Sequence, residues 1–149
     1  MELDNFMLEK YNPFKIEHRC VITELENDVS ANRYLGDLNL FYRNIMNDKE
    51  EGYFANLYIA NYNNYPIGFI SINVNDNKYY IASGLLKEFR GYHLAALLLQ
   101  EFSEKIFEVR PEINNLYLSI NEKNFASRKT AQLVGYEQEN TIRYKMKRG

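Results

Sequence analysis

YYIASGLLKEFRGYHLAALLLQEFSEKIFEVR, residues 79–110, decides the fold of this chain. Tyr79, Tyr80 and Ile81 are strand formers, and the apolar character runs on to Leu85 and Leu86. Lys87-Glu88-Phe89-Arg90-Gly91 breaks that pattern. From Leu94 the period changes, because Leu94, Leu98, Phe102 and Ile106 recur at every fourth position with Ala95 and Leu99 beside them. That is the apolar stripe of a helix. Arg110 puts a positive charge at the helix's negative end, and Pro111 cannot continue it. A strand that enters a helix through a glycine turn leaves helix-start amides unpaired, which suits an anion. An isolated strand–Gly–helix has a plainer reading too, in which Gly91 only eases a tight turn.

The turn has a recognisable form. Arg90-Gly91-Tyr92-His93-Leu94-Ala95 resembles the Arg/Gln-x-x-Gly-x-Gly/Ala pyrophosphate loop of the GNAT superfamily of acetyl-CoA-dependent N-acyltransferases. It departs at the fourth position, where His93 stands in place of glycine. A second segment, Asn124-Phe125-Ala126-Ser127 closed by Gly135-Tyr136, resembles the family's later Asn-x-x-Ser helix. The two motifs come in the family's order, a helix and a strand apart, and the likeness covers residues 54–147 best. Arg33-Tyr34-Leu35-Gly36 also resembles the early helix of the branch that acetylates protein N-termini and ribosomal proteins.

Composition agrees with one globular domain over residues 1–149. Hydrophobic residues make up 46% and charged residues 26%, enough of each for a core and a solvated surface. A net charge of -2 gives no polycationic footprint, so general nucleic-acid binding is not expected. No apolar run approaches the ~20 residues of a membrane span. Met1 leads into acidic Glu2 and Asp4 rather than a signal peptide, so a cytoplasmic protein is expected. Cys20 is the single cysteine, which excludes an internal disulfide and a cysteine zinc cluster. It reads as a small buried or half-buried filler. His18 has no partner at metal-ligand spacing, and no metal is expected.

Taken in order, residues 1–12 read as a short helix or an arm. Residues 15–25 (KIEHRCVITEL) alternate loosely and read as the first strand. Residues 28–46 read as a helix broken near Gly36, with Tyr34, Phe41 and Tyr42 on its core face or bordering an acceptor. Residues 54–62 and 67–74 form a hairpin across Asn63-Asn64-Tyr65-Pro66, and residues 75–78 turn the chain into the central strand. Residues 116–120 form a strand parallel to the central one, since a helix lies between them. Asn124 is an N-cap for the next helix and Gly135 its left-handed C-cap. A last strand covers residues 141–147, with a short one at Tyr136. The expected fold is thus α+β: a mixed, mostly antiparallel sheet of six or seven strands flanked by about four helices.

The resemblance implies further roles. The sheet splays between the central strand and its parallel neighbour, and the pantetheine arm of acetyl-CoA enters there. Leu85, Leu86 and Lys87 would offer main-chain groups to that arm. Amides of Gly91, Tyr92, His93, Leu94, Ala95 and Ala96 would hold the pyrophosphate, with Arg90 opening the loop. His93 needs only its N–H for this; a catalytic imidazole is the sharper reading. A neutral amine would attack the thioester, its oxyanion met by the Leu85 amide, and an acid would protonate the departing thiolate to give CoA. Many family members carry that acid as a Tyr seven residues after the helix's Asn, where this chain has Ala131. Ser127 is the candidate in its place, its alternative role being helix N-terminal hydrogen bonding. Asn124 would touch the arm, cap the helix, or both. The central strand carries no Glu, so the general base is unassigned; Tyr79 and Ser83 through water, or Glu137 and Glu139, are candidates. The acceptor is an amine of unspecified kind, and a homodimer is left open. Two other classes compete: a non-catalytic acyl-CoA-binding module, and a nucleotide-binding protein, which would need a Gly-x-x-x-x-Gly-Lys-Ser/Thr loop this chain lacks.

Overall fold

The structure is a computed structural model that describes residues 1–28 and 56–149. The helix expected over residues 28–46, with Tyr34, Phe41 and Tyr42, lies outside the described residues but for Asp28. The elements run β1 (Met7–Lys10), α1 (Ile16–Glu26), β2 (Leu57–Tyr62), β3 (Tyr65–Asn75), β4 (Lys78–Leu85), a 3-10 turn (Lys87–Phe89), α2 (Leu94–Val109), β5 (Asn115–Ser119), α3 (Phe125–Val134), β6 (Glu137–Gln138) and β7 (Arg143–Lys147). They form one seven-stranded sheet ordered β1-β2-β3-β4-β5-β7-β6. Among the described residues only β4 and β5 pair in parallel; the other neighbours are antiparallel.

Turn chemistry sets the meander β2-β3-β4. Asn63 and Asn64 take φ of 50° and 68°, and Asp76 and Asn77 take 52° and 60°. Two successive left-handed residues make a tight hairpin whose twist matches the strands, and Asn and Asp tolerate that region best among residues with a side chain. The first turn is therefore two residues long, and Tyr65 and Pro66 belong to β3. Pro66 pairs with Asn61 where the register shifts at Ala60/Asn61, one of the few sheet positions that spares a missing N–H.

The sheet buries both faces unequally. On one, Leu98, Phe102 and Ile106 of α2 and Ala131 of α3 pack with Ile81, Leu85, Leu116, Leu118 and Tyr144. On the other, Val21, Ile22 and Leu25 of α1 meet Leu57, Ile59 and Phe69. The helix stripe expected from Leu94 is thus observed, and Arg110 caps α2 before Pro111.

Two N-terminal expectations are corrected. Residues 15–25 are helical, since the buried positions His18, Val21, Ile22 and Leu25 follow a helical step of three, one and three. Residues 7–10 form an edge strand, in which only Leu8 is buried, so alternation is barely legible. Cys20 is exposed rather than a filler, on the outer face of α1. Among the described residues there are three α-helices and seven strands, and no helix is long and apolar enough to cross a membrane.

Candidate active site

The parallel pair is where the sheet opens. β4 and β5 share one register pair, Tyr80 with Tyr117. The Leu86 amide donates to the Ile67 carbonyl oxygen at 2.8 Å. Strand alternation then turns the main-chain groups of Ile81, Ser83 and Leu85 away from β3 and toward β5. Beyond the Tyr80–Tyr117 rung the register with β5 stops, so Ser83 and Leu85 border a gap rather than a ladder.

Above that gap lies the loop that leads into α2. Gly91 has φ of 87° and His93 has φ of 62°. Nothing lies within 4 Å of where a Cβ on Gly91 would sit, so its backbone faces open space. His93 is exposed and is the left-handed N-cap, without a side-chain capping bond. The first intrahelical bond runs from the Leu97 N–H to the His93 carbonyl oxygen at 3.1 Å. The amides of Leu94, Ala95 and Ala96 therefore precede it at the positive end of the helix dipole. Tyr92 is exposed beside them.

Of the three residues expected to serve the arm, several groups are already engaged. Arg90 Nε and Nη2 donate to the Leu85 carbonyl oxygen at 3.0 and 2.8 Å. The same Nη2 donates to Asp28 Oδ2 at 2.7 Å. Phe89 and Arg90 amides donate to the carbonyl oxygens of Leu86 and Lys87. With the Leu86 N–H bound to Ile67, the Leu85 N–H is the group that alternation aims at the gap. The composition of the Arg90 side chain's partners was not readable from sequence, because Asp28 lies 62 residues away.

α3 begins after β5. The Asn124 side chain accepts from the Ser127 amide at 3.2 Å, and Gly135, with φ of 107°, ends the helix. Both caps occur where the sequence puts them. Ser127 is half-buried, on the first turn. Ala131 is 0% exposed, so its position faces the core, without a proton to give.

The opposite face of the β4–β5–β7 region has a different character. Tyr80 and Tyr117 rings lie 5.7 Å apart, with Lys78 and the Arg143 guanidinium each 5.9 Å from the Tyr117 ring centre. Ala82 and Ser119 are exposed there, and no described helix packs over them. Glu139 accepts from Arg143 at 2.5 Å and sits 3.3 Å from Lys145. Its bond to Arg143, with Lys145 adding to it, holds its carboxyl below the usual range, which makes it a poor proton acceptor. A polar hollow of about 430 Å³ lies between Glu122, Arg128 and Gln138, Glu139, Asn140 and Thr141, at the end of the β6–β7 hairpin. Among the described residues no three His, Cys, Asp or Glu side chains gather as a metal site.

Solved structures share this fold. An acetyltransferase of the GNAT family from Bacillus anthracis matches with a TM-score of 0.80 at 14% identity, over 99% of this chain and 97% of its own. An acetyltransferase from Agrobacterium tumefaciens matches with a TM-score of 0.76 at 14% identity, over 99% and 94%. An aminoglycoside acetyltransferase solved with coenzyme A and kanamycin matches with a TM-score of 0.74 at 15% identity, over 97% and 94%. At such identities these likenesses speak to fold alone. Comparison with curated proteins returned no match. The family model described as the acetyltransferase (GNAT) family matches residues 16–136, most of the sequence, and the chain belongs to that family.

Proposed function

We propose that this chain transfers the acetyl group of acetyl-CoA directly to a primary amine, either a protein N-terminus or a small-molecule amine, and acts as one domain over residues 1–149. The observation that carries the reading is the β4–β5 gap, joined only at Tyr80–Tyr117 and opening beneath the left-handed loop at Gly91 and His93. The amides of Gly91 to Ala96 hold the pyrophosphate; the open space at Gly91 leaves room for it. The pantetheine arm lies along the gap. The acceptor approaches from the face of Tyr80, Tyr117 and Arg143, because α2 and α3 roof the other.

The amine nitrogen attacks the thioester carbonyl, forming the C–N bond as the C–S bond breaks. The Leu85 amide faces the oxyanion, and the Ser127 hydroxyl gives a proton to the thiolate, so that CoA leaves as the thiol. The amine's own proton passes to water, Glu139 being held as a carboxylate by two cations. The roles of the loop amides, the Leu85 amide and Ser127 are carried over from the family pattern to matching positions.

The test is an acceptor screen. Acetyl-CoA is offered with protein N-terminal peptides, polyamines, amino sugars and aminoacyl-tRNA, with thiol release followed and products identified by mass spectrometry. Acetylated product from one class supports the reading. Acetyl-CoA binding without product from any class would favour the binding module instead, which the buried Ala131 already suits.

A further inference from the structure

Arg90 opens the loop motif, and a guanidinium there invites assignment as a phosphate ligand. Its bonds run elsewhere. Two of its N–H groups chelate one carbonyl oxygen, that of Leu85, and one of those nitrogens also pairs with the Asp28 carboxylate. Leu85 is the last residue of β4, and Asp28 follows the end of α1. The Arg90 side chain is about one-third exposed and that of Asp28 about one-sixth, so the pair is partly screened from water. Arg90 is also fixed at its own main chain, its amide donating to Lys87.

We propose that Arg90 is a positioning residue: it staples the end of β4 to the start of the cofactor loop and to the end of α1, and so fixes the Leu85 amide at the mouth of the gap. This rests on the acetyl-transfer reading above for its catalytic consequence, but the staple itself does not. The Leu85 carbonyl belongs to the peptide unit whose N–H is that of Leu86. With its oxygen gripped by Arg90 and its N–H held by Ile67, that unit cannot rotate. The Leu85 N–H, which leaves the strand on the same side as the Leu85 carbonyl, is fixed in turn. Asp28 orients the guanidinium from the other side. Lysine would keep the charge and the pairing with Asp28 but lacks the fork.

The experiment compares two donors. Acetyl-CoA has the pyrophosphate; acetyl-pantetheine has the thioester and arm without it. Arg90→Met should lower kcat by a similar factor with both donors, roughly 10- to 100-fold, the scale of a small misplacement at the reacting centre. Arg90→Lys should lie between Arg90→Met and the wild type, and Asp28→Asn should give a smaller loss in the same sense. Without any donor, amide hydrogen exchange at Leu86, Phe89 and Arg90 should quicken about tenfold in Arg90→Met, as the β4 end opens locally. A loss confined to acetyl-CoA, seen mainly in KM, would make Arg90 a phosphate ligand and overturn the proposal. Unchanged exchange in Arg90→Met would overturn it as well. Faster exchange in a protein that acetylates nothing would retain the staple and discard the acetyl-transfer reading.

Discussion

Tyr80 and Tyr117 are the one register pair between β4 and β5, and their rings meet at 5.7 Å on the face away from α2 and α3. A sheet that must separate on one side of a rung needs that rung secured, since a single parallel pair contributes little by its main chain alone. Side-chain burial supplies the rest. Tyr117 is buried, and it packs against Tyr80 with Lys78 and Arg143 over its ring.

That arrangement gives a stability prediction. Tyr117→Ala should lower the unfolding free energy by about 3 kcal/mol, in the range of large aromatic deletions. Tyr117→Phe keeps the ring and should cost under about 1 kcal/mol. Urea titration of both variants measures this. Equal, small losses would mean that the ring does not secure the pair.

The loop offers a separation of strain from charge. Gly91 lies at φ of 87° with no atom near a prospective Cβ, so a substitution there meets backbone strain and no clash. Gly91→Ala and Gly91→Glu should each lose about 1 kcal/mol without ligand, the left-handed penalty. Acetyl-CoA at a hundredfold excess over Kd should stabilise the wild type by about 2.7 kcal/mol, raising Tm by roughly 5–10 °C. Gly91→Ala should keep that shift and Gly91→Glu should lose it, because only the carboxylate repels the phosphates. A full shift retained by Gly91→Glu would move the pyrophosphate off this loop.

His93 explains its own departure from the motif. It stands where the family has glycine, and its φ of 62° is the conformation glycine adopts without cost. His93→Gly should therefore be neutral to stabilising by about 0.5 kcal/mol, the relieved strain exceeding the added freedom of the unfolded chain. Thermal unfolding with and without acetyl-CoA checks it. A loss above about 1 kcal/mol would show that the imidazole has a role in the loop.

The loop and caps were legible in sequence for the same reason that Gly91, His93, Asn124 and Gly135 matter: each needs a backbone conformation or a bond satisfied within three or four residues. The hairpin turns were legible likewise, although Pro66 drew the first turn two residues too long. α1 was not. KIEHRCVITEL alternates loosely enough to pass for a strand, and its helical face is revealed only by what lies opposite, Leu57, Ile59 and Phe69 more than thirty residues on. Arg90 and Glu139 show the same limit at the site. Their residue types invite a phosphate ligand and a base, but Asp28 reaches Arg90 across 62 residues, and the nearby partners Leu85, Arg143 and Lys145 are chosen by the geometry of the turn and hairpin rather than by residue type.

His18 sets a pH dependence. It is 3% exposed, its Nδ1 accepts from the Asn12 amide at 2.9 Å, and Glu9 Oε2 lies 3.7 Å from Nε2. Burial lowers its pKa, and the nearby Glu9 only partly opposes this. The folded state then resists protonation while the unfolded state accepts it from about pH 6.5 downward. Stability should be unaffected by His18 above that value and should fall as pH drops from about 6.5 toward 5. Glu9, whose own pKa is lowered chiefly by its bond to Lys15, loses its contribution only at more acid pH. His18→Asn should be less stable at pH 7.5 but show a shallower decline over the same interval. Parallel declines in both proteins would assign the effect to other groups.

Ser127 is the sharpest test of the chemistry. Its amide is tied to Asn124, which leaves the hydroxyl free of the capping bond. Ser127→Ala keeps that amide and puts a good helix former on the first turn, so stability should change by about 1 kcal/mol or less. If the hydroxyl protonates the thiolate, or holds the water that does, kcat should fall by about 10² to 10⁴ while the acetyl-CoA-induced shift in Tm persists. A donor thioester whose thiol has a low pKa expels its thiolate without needing a proton, and should restore most of the lost rate. Near wild-type turnover in Ser127→Ala on a confirmed acceptor would leave Ser127 as a residue of the helix start, and the thiolate would have to take its proton from solvent, since Ala131 has none to offer.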